Sequence, residues 1–105
     1  MDEQACPVTK AMDILAKKWT VLIIFKLLDG PKRFTEIESL LPISGRLLSE
    51  RLKELEINGL VERHVYPETP VRIEYELTTA GKEIGAIVQQ ISNWSSKWIS
   101  TIKCE

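Results

Sequence analysis

The side chains that could do chemistry in this chain lie on one face of a single predicted helix. Ser49, Glu50 and Lys53 follow Arg46 by three, four and seven residues, which places all four on one side of an α-helix. The hydroxyl, ammonium and guanidinium groups can hydrogen-bond to phosphate oxygens, and the guanidinium can also bind a base edge bidentately. A merely solvated helix face is the alternative, so the surrounding elements must decide.

Catalytic or metal-binding groups do not come together in the sequence. His64 is the only histidine, and the two cysteines, Cys6 and Cys104, stand near opposite ends. These residues supply no catalytic triad, no metal-ligand spacing and no phosphate-binding loop. We therefore expect no enzyme, no metal and no cofactor, and we interpret His64 as an ordinary strand residue rather than a ligand.

The polar face belongs to the second of two helices predicted between residues 34 and 58. Thr35 is expected to cap the first helix, which Pro42 ends. Ser44 is expected to cap the second, which runs from residue 45 to about 57 and stops at an Asn-Gly pair. The apolar residues expected to face the core are Ile37, Leu40, Leu41, Leu47, Leu48, Leu52 and Leu55.

A β-hairpin is predicted directly after this helix pair, over residues 60–78. Residues 60–66 and 71–77 alternate in polarity as strands do, and Pro67 and Pro70 lie in the turn between them. The order helix, turn, helix, hairpin is that of a winged helix-turn-helix, whose second helix enters a DNA groove. Arg72 is the predicted DNA contact near the hairpin tip, whereas Glu68 would face phosphates there and does not fit.

Helices are also predicted on both sides of the helix-turn-helix. One starts at Cys6-Pro7 and ends near residue 16, and an almost entirely apolar one spans 19–28. A C-terminal helix over about 79–102 would be about 36 Å long, more than so small a domain needs. Its heptad-spaced apolar residues predict a dimerisation arm, with Trp94 and Trp98 lining an effector pocket as the alternative. The predicted interface residues are Val8, Ile84, Ile87, Val88, Ile91, Trp94, Trp98 and Ile102.

Size and charge narrow the classes of function. The chain has 105 residues, 44% of them hydrophobic, and a net charge of −1, which is ordinary for one globular domain. Cations exceed carboxylates over residues 31–53, and the reverse holds over 54–78, so a DNA surface must come from the orientation of side chains. The longest apolar run, 21–25, is far below the about 20 residues that span a bilayer, and no secretion leader is recognisable. We expect a cytoplasmic protein without a membrane partner.

These elements predict a mainly α protein with a small antiparallel β-hairpin wing: one winged helix-turn-helix domain over 1–105, with N-terminal and long C-terminal dimerisation helices. Ordered motifs run along nearly the whole chain: Cys6-Pro7, Lys18-Trp19-Thr20, GPKRF at 30–34, LSERLKEL at 48–55, GLVER at 59–63, VYPE at 65–68, YELT at 75–78 and Gly81. This set resembles the HxlR-type transcriptional regulators, a branch of the MarR-like winged helix-turn-helix proteins of bacteria and archaea. The resemblance implies a homodimer that binds a pseudo-palindromic operator in double-stranded DNA, and we expect a repressor.

The expected DNA contacts lie on the recognition helix, at its start and in the flanking loops. Arg46 is the predicted base contact, because a guanidinium pairs bidentately with guanine. The other residues expected to contact DNA are Lys32, Arg33, Ser44, Ser49, Arg51, Lys53 and Arg72. The alternative, favoured by the near-neutral charge and by Glu50, is a winged-helix module that binds another protein without reading DNA.

Cys6 is the candidate sensor. In some members of the family that the chain resembles, a cysteine directly before the helix-entry proline senses electrophiles, quinones or oxidants. A helix N-terminus stabilises a thiolate, and Lys10 lies one turn further on, whereas an unreactive packed thiol is the alternative. If the first helix packs beside the C-terminal arm, Cys6 of one subunit approaches Cys104 of the other, and oxidation would form an intersubunit disulfide.

Overall fold

The structure is a computed structural model that describes residues 6–99. Within that range five helices and one two-stranded antiparallel sheet follow one another along the chain. Their bounds are α1 Pro7–Leu15, α2 Thr20–Leu27, α3 Phe34–Leu40, α4 Gly45–Ile57, β1 Val61–Tyr66, β2 Arg72–Leu77 and α5 Thr79–Trp98. The predicted fold class, mainly α with a hairpin wing, is confirmed. None of the helices in this range is long and apolar enough to cross a membrane.

One hydrophobic core connects α2 with the helix-turn-helix and the base of the wing. Helix α2, although apolar nearly all round, contributes one buried stripe to this core and leaves Leu22 42% exposed. The stripe predicted on α4 faces the same core. Its members from these two helices are Ile23, Ile24, Leu27, Leu48, Leu52 and Leu55. Burial of each of these side chains stabilises the fold by about 1.5–3 kcal/mol. Because the leucine stripe fixes which side of α4 faces the core, the opposite side faces solvent or a ligand.

Helix α3 differs from its prediction at both ends. Its N-cap is Arg33 instead of Thr35, because Glu36 Oε1 accepts the Arg33 backbone N–H over 2.8 Å and so satisfies a donor at the helix start. Leu40, predicted to point inward, is 47% exposed, whereas Leu41 is 8% exposed. The backbone is extended at Leu41, just past the helix, and this turns Leu41 rather than Leu40 toward the core.

The start of α2 is also corrected. The sequence predicts helix from Trp19, but Trp19 precedes the helix with φ of 82°, in the left-handed region that side chains larger than glycine seldom adopt. Such a conformation costs about 1–3 kcal/mol. Packing of the indole ring against the core offsets this cost, and it holds the turn between α1 and α2 in one conformation.

The recognition helix α4 matches its predicted bounds. Ser44 Oγ accepts the Leu47 backbone N–H over 3.2 Å, which is the predicted N-cap interaction. At the other end Asn58 is the C-cap, and Gly59 adopts φ of 75°, a left-handed value suited to glycine. Local capping signals were therefore enough to place this helix.

The wing is joined to the loop before α3. Strands β1 and β2 pair antiparallel, with Val61 opposite Leu77 at the buried end and Tyr66 opposite Arg72 near the turn. The Tyr75 backbone N–H donates to the Lys32 carbonyl oxygen over 2.8 Å, and the Lys32 N–H donates to the Tyr75 carbonyl oxygen over 3.0 Å. The wing therefore holds a fixed position beside the helix-turn-helix.

Two glycines allow α5 to lie close to the rest of the chain. Thr78 caps the helix by accepting the Gly81 backbone N–H over 3.0 Å. A Cβ at Gly81 would overlap the Leu60 carbonyl oxygen, and a Cβ at Gly85 would overlap the Leu28 side chain. The low helix propensity of these glycines is thus offset by tertiary contact. Helix α5 ends at Trp98 with Ile99 as its C-cap, before the predicted end near residue 102, and residues 100–102 lie outside the described range.

Candidate nucleic-acid interface

The exposed face of α4 carries four of the side chains singled out by their spacing. Arg46, Ser49, Glu50 and Lys53 are all exposed, because the leucine stripe occupies the opposite side. Within residues 6–99 none of these four side chains has a hydrogen-bond or ion-pair partner. The face is therefore available to a ligand without loss of any protein contact.

The face starts at the positive end of the helix dipole. Arg46 is the second residue of α4, and the exposed Ser44 precedes the helix. Ser44 already caps Leu47, so its hydroxyl satisfies one of the backbone N–H groups of the first turn. The remaining N–H groups and the dipole favour a negative ligand such as phosphate at this end.

Arg51 lies away from this face. Its side chain is 15% exposed, its Nε donates to the Lys18 carbonyl oxygen over 3.0 Å, and its Nη1 donates to Glu54 Oε1 over 3.2 Å. Glu54 Oε2 also accepts from Lys17 Nζ over 3.0 Å, and this bond is the largest cause of the lowered pKa of Glu54. The structure thus binds Arg51 to the turn between α1 and α2, and a phosphate could reach it only if these bonds opened.

Lys32 and Arg33 lie in the loop between α2 and α3. Lys32 Nζ donates to Asp29 Oδ1 over 2.7 Å, and its side chain is 16% exposed. The same hydrogen bond lowers the pKa of Asp29 below its ordinary value. Arg33 is exposed. Of this pair, Arg33 is therefore the one presented to a ligand.

Arg72 is the centre of an ion-pair cluster on the wing. Its Nη2 donates to Glu68 Oε2 over 2.9 Å, its Nη1 donates to Glu74 Oε2 over 2.6 Å, and its guanidinium carbon lies 3.9 Å from the Tyr66 ring centre. The Arg72 hydrogen bond is the largest cause of the lowered pKa of Glu68, to which the charge of Arg33 adds. Glu68, which did not fit beside DNA phosphates, is thus explained as the ion-pair partner of Arg72.

His64 is a half-buried residue on the same face of the wing as Arg72. Its Nε2 lies 3.0 Å from Glu76 Oε1 and 3.5 Å from Glu62 Oε2. Across the part of the chain that the structure describes, no three or more His, Cys, Asp or Glu side chains are arranged to bind a metal. The contacts of His64 are those of a strand residue paired with carboxylates.

Cys6 occupies the N-cap of α1 and is partly exposed. Its side chain makes no capping hydrogen bond to the helix. The Thr9 backbone N–H, the Thr9 hydroxyl and the Val8 N–H nevertheless lower the pKa of the thiol, against a small opposing effect of burial. The first turn of α1 itself therefore stabilises the thiolate.

An exposed apolar strip runs along α5. Ile87, Ile91, Trp94 and Trp98 are spaced by four, three and four residues, and each is at least 55% exposed. Two other residues of this helix predicted for the interface do not belong to the strip: Val88 is 6% exposed, and Ile84 is partly buried and packs against the core. Val88 contributes to the chain's own packing, because the turns of α5 that carry Gly81 and Gly85 lie against the core.

A groove of about 470 Å³ separates α1 from α5. Its lining is almost entirely apolar and consists of Pro7, Val8, Ala11, Met12, Leu15, Val21, Ile84, Ile87, Val88 and Ile91. Trp94 and Trp98 lie beyond it. The exposed Val8 of α1 borders this groove. Two further residues assigned roles by the sequence, Ile102 and Cys104, lie outside the described residues, so their roles stay predictions.

Sequence reasoning missed the partners of the two engaged arginines. Glu54 follows Arg51 by three residues on one helix, a spacing that could have suggested this pair, whereas the Glu68–Arg72 pair depends on the conformation of the hairpin turn. No sequence signal links Arg51 to the Lys18 carbonyl, which is 33 residues away along the chain.

A helix-turn-helix whose second helix exposes a polar face, followed by a two-stranded wing, defines a winged-helix DNA-binding protein. The sequence model described as HxlR-like helix-turn-helix matches residues 14–103. The chain belongs to this family, and its relatives are transcriptional regulators. The resemblance seen in the sequence is thereby confirmed.

Three relatives illustrate the match. The chain is 58% identical over 98 residues to the uncharacterized HTH-type transcriptional regulator YvaP of Bacillus subtilis, which covers 91% of each chain. The structure of the reduced form of the B. subtilis transcriptional regulator YodB has 46% identity and a TM-score of 0.77, covering 93% of this chain and 98% of that one. The structure of the redox regulator HypR in its reduced form has 36% identity and a TM-score of 0.82, and the match covers 88% of this chain and 92% of that one. These relatives favour DNA binding over the alternative of a protein-binding module.

Proposed function

We propose that the protein is a homodimeric transcriptional repressor that binds a pseudo-palindromic operator and leaves it when Cys6 reacts with an electrophile or oxidant. The observation that carries the proposal is the exposed N-terminal half of α4, where Arg46 and Ser49 have no partner among residues 6–99. Transfer of an unengaged polar face to DNA requires no contact within the protein to break, although its side chains still lose water and freedom of rotation. Repression needs no more than occupancy of the operator.

The direct contacts are assigned to the α4 face. Arg46 would pair with a base in the major groove, while Ser44, Ser49 and Lys53 would hold phosphates. Arg33, exposed in the preceding loop, extends the same positive surface. Glu50 is the one carboxylate on the face, and it would disfavour a misplaced phosphate or accept from a cytosine amino group.

The remaining predicted contacts would have to exchange protein partners for DNA. Lys32 would leave Asp29, Arg51 would leave the α1–α2 turn, and Arg72 would leave two glutamates. On the wing, Arg63 is exposed and has no partner in the described chain. It is therefore the better candidate for a wing contact, and Arg72 supports the shape of the wing.

Dimerisation is supported by the apolar strip of α5 and by the groove beside it. Ile87, Ile91, Trp94 and Trp98 repeat as in a helix–helix seam and leave apolar surface in water when the chain is alone. A second copy would cover it. Two recognition helices at a fixed spacing also supply the affinity that one nearly neutral head lacks.

The thiol chemistry is supported by the lowered pKa of Cys6 and by the relatives. Structures of YodB are described as quinone-bound and as diamide-treated, and HypR is described as a redox regulator with an oxidised form. For a quinone, the Cys6 thiolate would add to a ring carbon and form a C–S bond. That carbon then loses its hydrogen as a proton when the ring becomes aromatic, and the two carbonyl oxygens take up this proton and one from solvent. The product is a thioether of the hydroquinone.

Footprinting and mobility shifts on DNA upstream of the protein's own gene test the DNA contacts. Arg46→Ala should weaken operator binding by about 1–3 kcal/mol and relax preference at one base pair, whereas Lys53→Ala should weaken all sequences alike and lower the salt slope by about one. Lys82→Ala, which removes an exposed cation from α5, is the matched control. Unchanged binding by Arg46→Ala and Lys53→Ala would contradict the proposed face.

The sensing step is tested with the same DNA and a stoichiometric quinone. Wild type should release the operator as Cys6 is modified, and Cys6→Ser should retain it. Retention by fully modified wild type would rule out sensing by this thiol, and release by Cys6→Ser would place the target elsewhere. Sedimentation at several concentrations checks the dimer. A dimer that binds no DNA would favour a protein partner instead.

A further inference from the structure

Helix α1 is the least anchored helix of the described chain. None of its residues is buried, and open grooves of about 470 and about 310 Å³ lie between it and α5. An element with few buried contacts can shift at a low free-energy cost. Within a single chain the position of α1 is therefore set largely by the turn at its C-terminal end, and in the proposed dimer the second copy would add contacts only on the α5 side, away from that turn.

That turn, residues 16–19, has a defined conformation. Trp19 holds a left-handed φ of 82° with its ring against the core. The Thr20 backbone N–H donates to the Lys17 carbonyl oxygen over 3.2 Å, and Thr20 itself is buried. A movement of α1 thus reaches a short, well-ordered segment rather than a slack loop.

The same turn is bound by the recognition helix. Arg51 Nε donates to the Lys18 carbonyl oxygen over 3.0 Å, and Lys17 Nζ donates to Glu54 Oε2 over 3.0 Å. Arg51 also donates to Glu54 Oε1 over 3.2 Å, so the two α4 residues form one unit. In the sequence of α4, Arg51 lies between Ser49 and Lys53, which belong to the exposed face. If the turn moves Arg51, the helix moves with it, and the exposed face changes position.

We propose that Arg51 is a positioning residue for DNA recognition: with Glu54 it holds α4 on the turn that ends α1, so that displacement of α1 changes how Arg46 meets DNA. The inference rests on the proposed function, because it takes Cys6, at the start of α1, as the place where the displacement begins. Two outcomes compete with this proposal. In the first, Arg51 contacts a DNA phosphate directly; in the second, the turn is so rigid that a movement of α1 does not reach α4.

Salt dependence separates positioning from phosphate contact. All variants carry Cys104→Ser so that Cys6 is the only thiol. Arg51→Met should lower operator affinity by about 2- to 30-fold, the range found for residues that couple two elements, with the salt slope unchanged. Lys53→Met, the matched cation on the same helix, should lower the slope by about one. A slope change for Arg51→Met equal to that of Lys53→Met would overturn the proposal.

Two further variants use charge to separate the cases. Glu54→Gln removes a carboxylate, so charge alone predicts equal or tighter DNA binding, whereas loss of the contact with the turn predicts weaker operator binding. Arg51→Lys keeps the charge but cannot bridge both partners, so it should behave like Arg51→Met. Thermal unfolding of each variant checks that the fold is intact, and Arg51→Lys serves if Arg51→Met does not fold.

The response to modification completes the test. Iodoacetamide alkylates Cys6, the thiolate displacing iodide to form a thioether, and mass spectrometry confirms one adduct. The Cys104→Ser protein should lose operator affinity on alkylation, while the same protein with Arg51→Lys should show a ratio of modified to unmodified affinity near one. An equal ratio in both proteins would overturn the coupling. If the Cys104→Ser protein does not respond to alkylation, the proposed sensing fails, and the salt slope still decides whether Arg51 positions α4.

Discussion

Replacing Gly81 with alanine is expected to destabilise the protein although alanine favours helix. The helix gain is about 1 kcal/mol. The added methyl would overlap the Leu60 carbonyl oxygen, a backbone atom that also accepts the Thr78 N–H over 3.0 Å. Overpacking costs about 1–3 kcal/mol, and the upper value suits a backbone neighbour that cannot rotate away. The expected net loss is about 2 kcal/mol in the free energy of unfolding.

Gly85→Ala is the matched comparison on the same helix. Its methyl would meet the Leu28 side chain, which can change rotamer. A cost of about 1 kcal/mol would then be offset by a helix gain of similar size. We expect a change near zero.

Thermal and urea unfolding of both variants measure the difference. One protein concentration is used throughout, since the stability of an oligomer depends on concentration. A loss of about 2 kcal/mol corresponds to a fall in Tm of about 8–16 °C for a domain of about 100 residues. A Gly81→Ala protein as stable as wild type, or a Gly85→Ala protein less stable than Gly81→Ala, would refute the reasoning.

Three further predictions concern the exposed apolar strip of α5, the Cys6 thiol and the Glu68–Arg72 pair of the wing. Ile91→Glu, which places a carboxylate in the exposed strip of α5, should shift sedimentation toward monomer, and an unchanged dimer would exclude this strip. The Cys6 alkylation rate should reach half its maximum at a lower pH than the alkylation rate of a free cysteine does, because the pKa of Cys6 is lowered, mainly by hydrogen bonds from the backbone and side chain of Thr9. Thr9→Val removes the side-chain hydrogen bond and should move this midpoint to higher pH. Arg72 lowers the pKa of Glu68 in the folded protein. The stability that the Glu68–Arg72 pair contributes is therefore full above the ordinary pKa of glutamate, and it is lost as the pH falls through the lowered pKa of Glu68. Urea midpoints should therefore fall less between about pH 6 and about pH 3 in Glu68→Gln, and an equal fall would contradict this.

Local signals determined much of the fold. The bounds of α4 follow from Ser44 at one end and an Asn-Gly pair at the other, and its buried face follows from leucines at helical spacing. The hairpin follows from alternating polarity around two prolines. Each of these signals acts between residues within one or two turns or strands, so a single sequence contains all of the necessary information.

Where the local signals competed, the sequence was not enough. A threonine hydroxyl and a glutamate three residues beyond Arg33 could both cap α3, and the glutamate does so. Leu40 and Leu41 are equally apolar, and the backbone beyond the helix decides which is buried. Trp19 continues an apolar helical pattern, yet packing of its ring places it in the left-handed region instead.

For the interface, the sequence by itself determined that α4 presents Arg46, Ser49 and Lys53 on one face, because helical periodicity alone fixes which residues share a side. Only the tertiary structure decided which cations are unengaged. Arg51 is bound to a carbonyl 33 residues away, and Arg72 is enclosed by two glutamates and a tyrosine ring. Charge and spacing are properties of the chain, whereas the partner of a charge depends on how distant segments pack.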